Sequence, residues 1–276
     1  MIGNYTEMNH TGYRAVDNRE ALGLPATQKC VKILWMYPDS LSIHGGRGDI
    51  MALLRFATMA KVPVEIRRVE RLTDPIPLDA ADMLYFCCGD LTCMPDIIKA
   101  LEPRKTELEA FARAGKVIVA NGSTGAVLAR ELELLDGMVV PGLGLLGMVW
   151  RQRKTVQGDD LWLDAMDGIE VIGNEIKLAE ITLDPDQAPF GKVRYGHGNC
   201  GGLDEGAVSG NVIYTSCLGP VLVRNPALAM ALLRRAADAA DIAITPEQFR
   251  LNPADICHEQ TCLEEAKGFI KKKMEK

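Results

Sequence analysis

The sequence lacks any apolar run close to the roughly 18 residues that span a membrane. Its start, MIGNYTEMNHTGYRAVDNRE, also lacks the basic and then apolar pattern of a secretory signal. Basic residues are in the minority, with 31 Lys and Arg against 37 Asp and Glu and a net charge of -6. Nucleic-acid-binding surfaces normally concentrate Lys and Arg, so this balance argues against that class of function. We therefore expect a cytoplasmic protein that binds neither a membrane nor a nucleic acid.

The sequence also has few groups of residues with the spacing of metal ligands. Cys257, His258 and Cys262 resemble a fragment of a metal site, but a closed zinc site generally needs four ligands and only three are present. Without an export signal, the eight cysteines are expected to be reduced thiols, several of them small core residues. We expect no metal and no cofactor.

The chain is long enough for one large core, since it has 276 residues of which 47% are hydrophobic. Between residues 31 and 135, strand and helix patterns alternate. The strand patterns lie at 31–37, 62–69, 82–88 and 117–120, and the helical patterns lie at 49–60 and 94–114. This alternation predicts right-handed crossovers and an α/β fold with a mainly parallel sheet sandwiched by helices.

Both ends of the chain have a different character. Residues 1–28 are polar and show no sustained period, so we expect an N-terminal arm there. After Gly137, short segments at 148–156, 168–174, 176–183 and 211–214 have the pattern of further strands, the first three of them antiparallel. Residues 245–248 (TPEQ) have the pattern of a helix start, which predicts a main domain over 29–244 and a C-terminal helical extension over 245–276.

The stretch over residues 116–128, KVIVANGSTGAVL, predicts a buried strand that turns sharply into a helix. Many α/β enzymes place a nucleophile at such a turn, because its side chain stands at the carboxyl edge of the sheet near a helix N-terminus. Here the residue at the tip is Asn121, which is not a nucleophile. We expect it to occupy a nucleophile elbow with a strained backbone.

Several stretches together resemble class I glutamine amidotransferases, and within them the small glutaminase subunit of bacterial lipid II isoglutaminyl synthase and its cobyric-acid-synthase relatives. These stretches are, in order, YPDSLSIHGGRGDIMALLRFA, VIVANGSTG, GLGLLG and GHGNCGGLDEGAVSGNVIYTSCLGPVLVRNPALA. Their order and spacing are more specific than the glycine turns alone. The resemblance covers roughly residues 31–240 and implies a flavodoxin-like fold.

In that family, a Cys on the turn attacks the glutamine amide and a His in a late loop acts as its base. The resemblance places the nucleophile position at Asn121 and the His position at Leu218, so both catalytic groups are replaced. It places the oxyanion loop at Gly89, preceded by Cys87 and Cys88 where the family has glycines. Cys87, Gly122 and Ser123 are the residues that it implies for substrate binding. The family's Asn-His-Gly segment has no recognisable match, the nearest being residues 184–187.

Two functional hypotheses follow. The first is a pseudo-enzyme, a binding or regulatory subunit that keeps the fold and the interface with a Mur-ligase-like or synthetase partner, with an unknown small-molecule ligand. The second is an active amidotransferase or hydrolase in which Cys88 or Cys217 is a relocated nucleophile. No His is placed to activate either thiol, and a buried Cys is usually inert. Ser123 is better explained as a residue that caps backbone N–H groups, and His197 as part of a glycine-rich surface loop.

Overall fold

A computed structural model describes residues 15–275, which contain thirteen strands and seven α-helices. The strands are β1 (Ala15–Asp17), β2 (Val31–Met36), β3 (Val64–Val69), β4 (Met83–Phe86), β5 (Val117–Asn121), β6 (Glu131–Glu133), β7 (Val139–Pro141), β8 (Met148–Ala165), β9 (Glu170–Leu183), β10 (Gly191–Tyr195), β11 (Asp204–Glu205), β12 (Ala207–Ser209) and β13 (Val212–Thr215). The helices are α1 (Gly46–Met59), α2 (Met94–Leu101), α3 (Lys105–Arg113), α4 (Gly125–Leu128), α5 (Val221–Arg224), α6 (Pro226–Ala239) and α7 (Cys257–Met274).

Seven strands form the main sheet in the order β1-β3-β2-β4-β5-β13-β12. The five central strands pair in parallel, and β1 and β12 add antiparallel edges. The apolar runs of β4 and β5 are buried at every position, as expected for strands covered on both faces. The helices form two groups, with α1 packed against α5 and α6, and α2 packed against α4. The predicted α/β class and the mainly parallel sheet are confirmed.

A second sheet has the order β11-β10-β8-β6-β7, and β9 pairs with β8 beside that path. The sequence predicts three short strands in this region, whereas β8 and β9 form two long antiparallel strands of 18 and 14 residues. The pairing of β8 with β9 is irregular between Gln152 and Gln157 and then continues. The sequence pattern predicts the end of a strand at this bulge.

Two helix predictions differ from the structure. The helix expected over 94–114 is divided, because α2 ends at Leu101 and a 3-10 turn containing Pro103 leads into α3. Residues 245–248 do not start a helix. The Thr245 N–H donates to Gln248 Oε1 (3.0 Å), and the Gln248 N–H donates to Thr245 Oγ1 (3.4 Å). These are capping-box contacts, but they close an isolated turn, and the helix begins only at Cys257.

The N-terminal arm contributes to the sheet from residue 15 onwards, since β1 pairs with β3, and residues 1–14 lie outside the described part. The expected C-terminal helix is α7. It packs against the second sheet through Ile270, which contacts Trp162 and Ile172, and through ion pairs of Lys267 and Lys273. None of the helices between residues 15 and 275 has both the length and the apolar character that crossing a membrane requires.

Candidate functional site

The strand-to-helix turn lies at the carboxyl end of β5, between β4 and β13. The Asn121 backbone is extended, with φ -131° and ψ 149°, so the expectation of a strained backbone at Asn121 is wrong. The positive φ of the turn, 60°, falls on Gly122. Asn121 still pairs with Thr215 as a strand residue, so the chain can reverse only at the next position, where glycine tolerates this backbone conformation.

The Asn121 side chain points away from the turn. It is buried, and its Nδ2 lies 3.5 Å from Oδ2 of Asp49 on α1. Asp49 is itself buried, and its Oδ1 accepts a hydrogen bond of 2.7 Å from the Leu222 N–H at the start of α5. Burial raises the pKa of Asp49 to about 7. Asp49 thus connects α1, the end of β5 and α5 beneath the turn.

Gly122 faces the late loop. A Cβ built on Gly122 would lie 2.6 Å from Cys88 Sγ and 2.8 Å from Leu218 Cδ2. Leu218 is held there by a pair of backbone hydrogen bonds with Asn174 of β9, at 2.7 and 3.2 Å. The structure therefore brings the turn and the late loop together as the resemblance implies, but Gly122, rather than Asn121, is the residue that meets Leu218.

Gly89 lies beside the turn, and its backbone groups are already paired. The Gly89 N–H donates to Ser123 Oγ (3.1 Å), and the same hydroxyl donates to the Gly89 carbonyl (2.6 Å). A Cβ on Gly89 would lie 2.4 Å from Leu41 Cδ2, so the loop is closely packed behind it. An oxyanion hole needs a free N–H aimed at the reacting atom, and here Ser123 occupies it.

The three candidate cysteines face different surroundings because successive residues of an extended chain point to opposite sides. Cys88 faces the turn, with its Sγ 3.6 Å from Ser123 Oγ. Cys87 points the other way, where its thiol donates to the Gly46 carbonyl (3.4 Å), and it does not line the site. Cys217 likewise points away from Leu218, toward Gly173. Burial raises the pKa of the Cys88 thiol and raises that of Cys217 well above its usual value.

The space left between the turn and β9 is a cavity of about 30 Å³. The residues that line it are His44, Cys88, Gly122, Ser123, Trp150, Ile176, Lys177, Leu178, Ala179, Ile181, Gly198, Asn199, Tyr214, Ser216 and Leu218. Ligand pockets usually measure about 300 to 1,000 Å³, whereas a cavity of about 10 to 15 Å³ is enough to hold one water molecule. In this conformation the cavity has no room for glutamine.

A buried lysine lines this cavity and two buried carboxyl groups lie near it, and their burial was not predicted from the sequence. Glu175 and Lys177 lie on the inward face of β9, and Glu205 is fully buried behind them. Burial raises the pKa of Glu175 to about 7, raises that of Glu205 and lowers that of Lys177. Glu205 accepts hydrogen bonds from the Thr215 hydroxyl and from Ser216. The only signal in the sequence is the alternation of charged and apolar residues in β9, which does not say which face is buried.

The three histidines of the described part of the chain lie on separate elements of the fold. His197 lies in the expected glycine-rich loop, where Nε2 is 2.6 Å from Gln157 Nε2. His258 lies on α7 between Cys257 and Cys262, and the described residues contain no group of three ligands placed to hold a metal. His44 lines the cavity with a positive φ of 58°.

The fold defines the class of protein. The structure of PurLQS from Thermotoga maritima aligns with a TM-score of 0.50 and 16% identity, over 77% of this chain and 97% of that chain. The architecture is the flavodoxin-like α/β fold of class I glutamine amidotransferases. The model of the CobB/CobQ-like glutamine amidotransferase domain matches residues 32–225, and the chain belongs to this family.

Two curated relatives are described as subunit GatD of lipid II isoglutaminyl synthase (glutamine-hydrolyzing). The one from Staphylococcus aureus (strain N315) is 23% identical over 232 residues, which are 83% of this chain and 93% of the relative. The one from Streptococcus pneumoniae (strain ATCC BAA-255 / R6) is 26% identical over 209 residues, which are 75% of this chain and 80% of the relative. The chain is therefore similar over most of its length to a subunit of a glutamine-hydrolysing synthase.

Proposed function

We propose that this protein is a member of the glutamine amidotransferase family without glutaminase activity, which acts as a binding or regulatory subunit. The observation that carries the proposal is the residue at the turn. In a nucleophile elbow the attacking side chain projects from the residue with the strained backbone, and here that residue is Gly122. Glycine has no side chain, and the group it faces is the aliphatic Leu218. The turn supplies no attacking atom and position 218 supplies no base, whichever of Asn121 and Gly122 takes the nucleophile position.

Two further features support the proposal. The Gly89 N–H that would stabilise an oxyanion is paired with Ser123 Oγ, and loss of one such donor typically costs about 10² to 10³ in rate. The cavity of about 30 Å³ is also roughly a tenth of the lower limit for ligand pockets. A glutamine molecule would need the walls of the cavity to move.

The alternative is an active enzyme with a relocated cysteine nucleophile. Cys88 is a better candidate for that nucleophile than Cys217, because Cys88 lines the cavity beside Gly122. The raised pKa of Cys88 argues against it, because the thiolate is the nucleophile. His44 is the one histidine that lines the same cavity, and burial lowers its pKa, so it would be neutral and able to accept a proton.

A glutamine analogue with a thiol-reactive electrophile separates the two functions. The proposal expects no ammonia release from glutamine and no adduct located by peptide mapping. An adduct on Cys88 that disappears in Cys88→Ser, together with ammonia release that also disappears, would establish the alternative instead. A Cys217→Ser variant is the matched control, since Cys217 does not line the cavity.

The binding role that we propose is with a partner of the Mur-ligase-like or synthetase type, because both curated relatives are described as synthase subunits. Co-expression with such a protein and measurement of the mass of the purified complex by light scattering test this role. A complex of one subunit of each kind is the expected result. Elution of the two proteins as separate species at micromolar concentration would contradict it.

A further inference from the structure

The glycine-rich loop 196–202 forms one wall of the cavity through Gly198 and Asn199. The loop leaves β10 at Gly196 with φ 105°, passes through Cys200 with φ 45° and returns at Gly201 with φ 74°. Cys200 has a side chain in a backbone region that only a few per cent of such residues adopt, so neighbouring contacts must hold it there. The conformation of loop 196–202 therefore depends on its contacts with neighbouring residues.

Three contacts from β9 hold this loop against the cavity. Glu175 Oε1 accepts from the His197 N–H (2.6 Å), and the Lys177 ammonium donates to the Gly198 carbonyl. The Cys200 thiol donates to the Ile181 carbonyl (2.9 Å). These contacts all come from β9, which therefore supports the loop at His197, Gly198 and Cys200. On the far side, the Asn199 side chain pairs with the N–H and carbonyl of Gly206.

Lys177 has a particular place among these contacts. Lys177 is buried, and among the described residues it is the only Lys or Arg that lines the cavity. The carbonyl that it contacts belongs to Gly198, which lines the same cavity. A displacement of Gly198 would therefore break the Lys177 contact and enlarge the cavity in a single movement.

We propose that loop 196–202 is a lid over the cavity, and that Lys177 of β9 is the contact that keeps the lid closed. Opening the lid gives access to Cys88, Gly122 and Leu218 from solvent. The inference rests on the proposed function for the identity of the site, and it adds the means by which the site is closed.

Alkylation of Cys88 measures the opening directly, since this thiol is buried and lines the cavity. Lys177→Met shortens the side chain by one atom and removes the hydrogen bond to Gly198, together with the ion pair of 3.7 Å to Glu180. We expect Cys88 to react about tenfold faster with iodoacetamide, because one charge-assisted hydrogen bond is worth roughly that factor. Cys217 is buried outside the cavity and should not react faster. An unchanged Cys88 rate, or an equal rise at Cys217, would overturn the proposal.

A cross-link tests the same lid without removing a buried charge. Thr182 Oγ1 lies 3.5 Å from Cys200 Sγ, so Thr182→Cys places two thiols within reach of a disulfide between β9 and the loop. We expect the oxidised variant to label more slowly at Cys88 than the same variant after reduction and removal of the reductant. Equal labelling in the two redox states would show that access to Cys88 does not pass through this loop.

The two proposals fail separately. Ammonia release or an active-site adduct would refute the loss of glutaminase activity and leave the labelling results standing. Unchanged labelling of Cys88 would refute the lid and leave the absence of a nucleophile unaffected.

Discussion

Gly122 and Leu218 are in close contact, which limits the substitutions that could restore a catalytic pair at these positions. A cysteine at 122 would have to adopt a φ of 60° and approach Leu218 Cδ2 to within 2.8 Å. We expect Gly122→Cys alone to destabilise the protein by about 2 to 5 kcal/mol from backbone strain and overpacking. Urea denaturation measures this loss.

The double variant Gly122→Cys with Leu218→His should show reactivity that neither single variant has, because a thiol and its base act as a unit. The measurement is labelling by the glutamine-mimicking electrophile. Recovery should be partial, since Ser123 still occupies the Gly89 N–H. The matched control is Asn121→Cys with Leu218→His, which places the thiol beside Asp49 and should stay unreactive. If this control reacted faster than the Gly122→Cys double variant, Asn121 rather than Gly122 would be the nucleophile position.

Asp49 gives a prediction about pH. Its pKa is raised to about 7 in the folded protein from an ordinary value of 3.8, so the folded state binds more protons between these two values. The free energy of unfolding should therefore fall as the pH rises from about 4 to 7, by on the order of 4 kcal/mol at about 1.4 kcal/mol per unit. Glu175, whose pKa is also raised to about 7, and Glu205 contribute a slope of the same sign, so Asp49→Asn should remove only the part that comes from Asp49 and be more stable than the parent protein at pH 8.

Denaturation curves at pH 5 and pH 8 check the prediction. The asparagine at 49 can still accept from the Leu222 N–H, and its amide can donate to Asn121 Oδ1, which is buried and has no partner. Asp96→Asn on α2 is the control, because its carboxylate is exposed. An Asp49→Asn variant with the same pH slope as the parent would show that Asp49 is ionised in the folded protein at neutral pH.

At the scale of elements, α7 is attached to the body through few apolar contacts. Ile270 is buried against Trp162 and Ile172, whereas its neighbour Phe269 is 58% exposed. We expect Ile270→Ala to cost about 2 to 5 kcal/mol of docking free energy, and Phe269→Ala to cost about 0.5 kcal/mol. Hydrogen exchange of the α7 amides measures both. Equal loss of protection in the two variants would show that the ion pairs of Lys267 and Lys273, rather than Ile270, hold the helix.

The sequence predicted the central strands because their apolar runs are continuous, and strands buried on both faces read in that way. It did not predict the length of β8 and β9, since the charged residues of their bulged middle resemble a loop. It also missed Lys177, because alternation in a strand cannot distinguish an inward lysine from an outward one. The sequence also placed the strained backbone at Asn121, whereas the positive φ belongs to Gly122. Only the backbone angles show at which residue the turn begins.

At the scale of the whole molecule, the site lies where the two sheets meet. The main sheet supplies the turn after β5 and the end of β13, and the second sheet supplies β9 and the loop after β10. Leu218 joins them, because it follows β13 in the chain and pairs with Asn174 of β9. A change at this contact therefore affects the packing of the two sheets as well as the cavity.

The reactivity of the eight thiols tests which of them are exposed in the folded protein. Cys200, Cys257 and Cys262 are exposed, Cys93 is half-buried, and Cys30, Cys87, Cys88 and Cys217 are buried. Burial raises the pKa of each of the four buried thiols. With a chromogenic disulfide reagent at pH 7, we expect three thiols to react quickly, a fourth to react more slowly, and the other four to react much more slowly still unless the protein is denatured. Peptide mapping of the fast fraction assigns the sites. If Cys88 were a relocated nucleophile it would appear in the fast fraction, because a catalytic thiol must be both accessible and ionised, and the proposed loss of glutaminase activity would then be wrong.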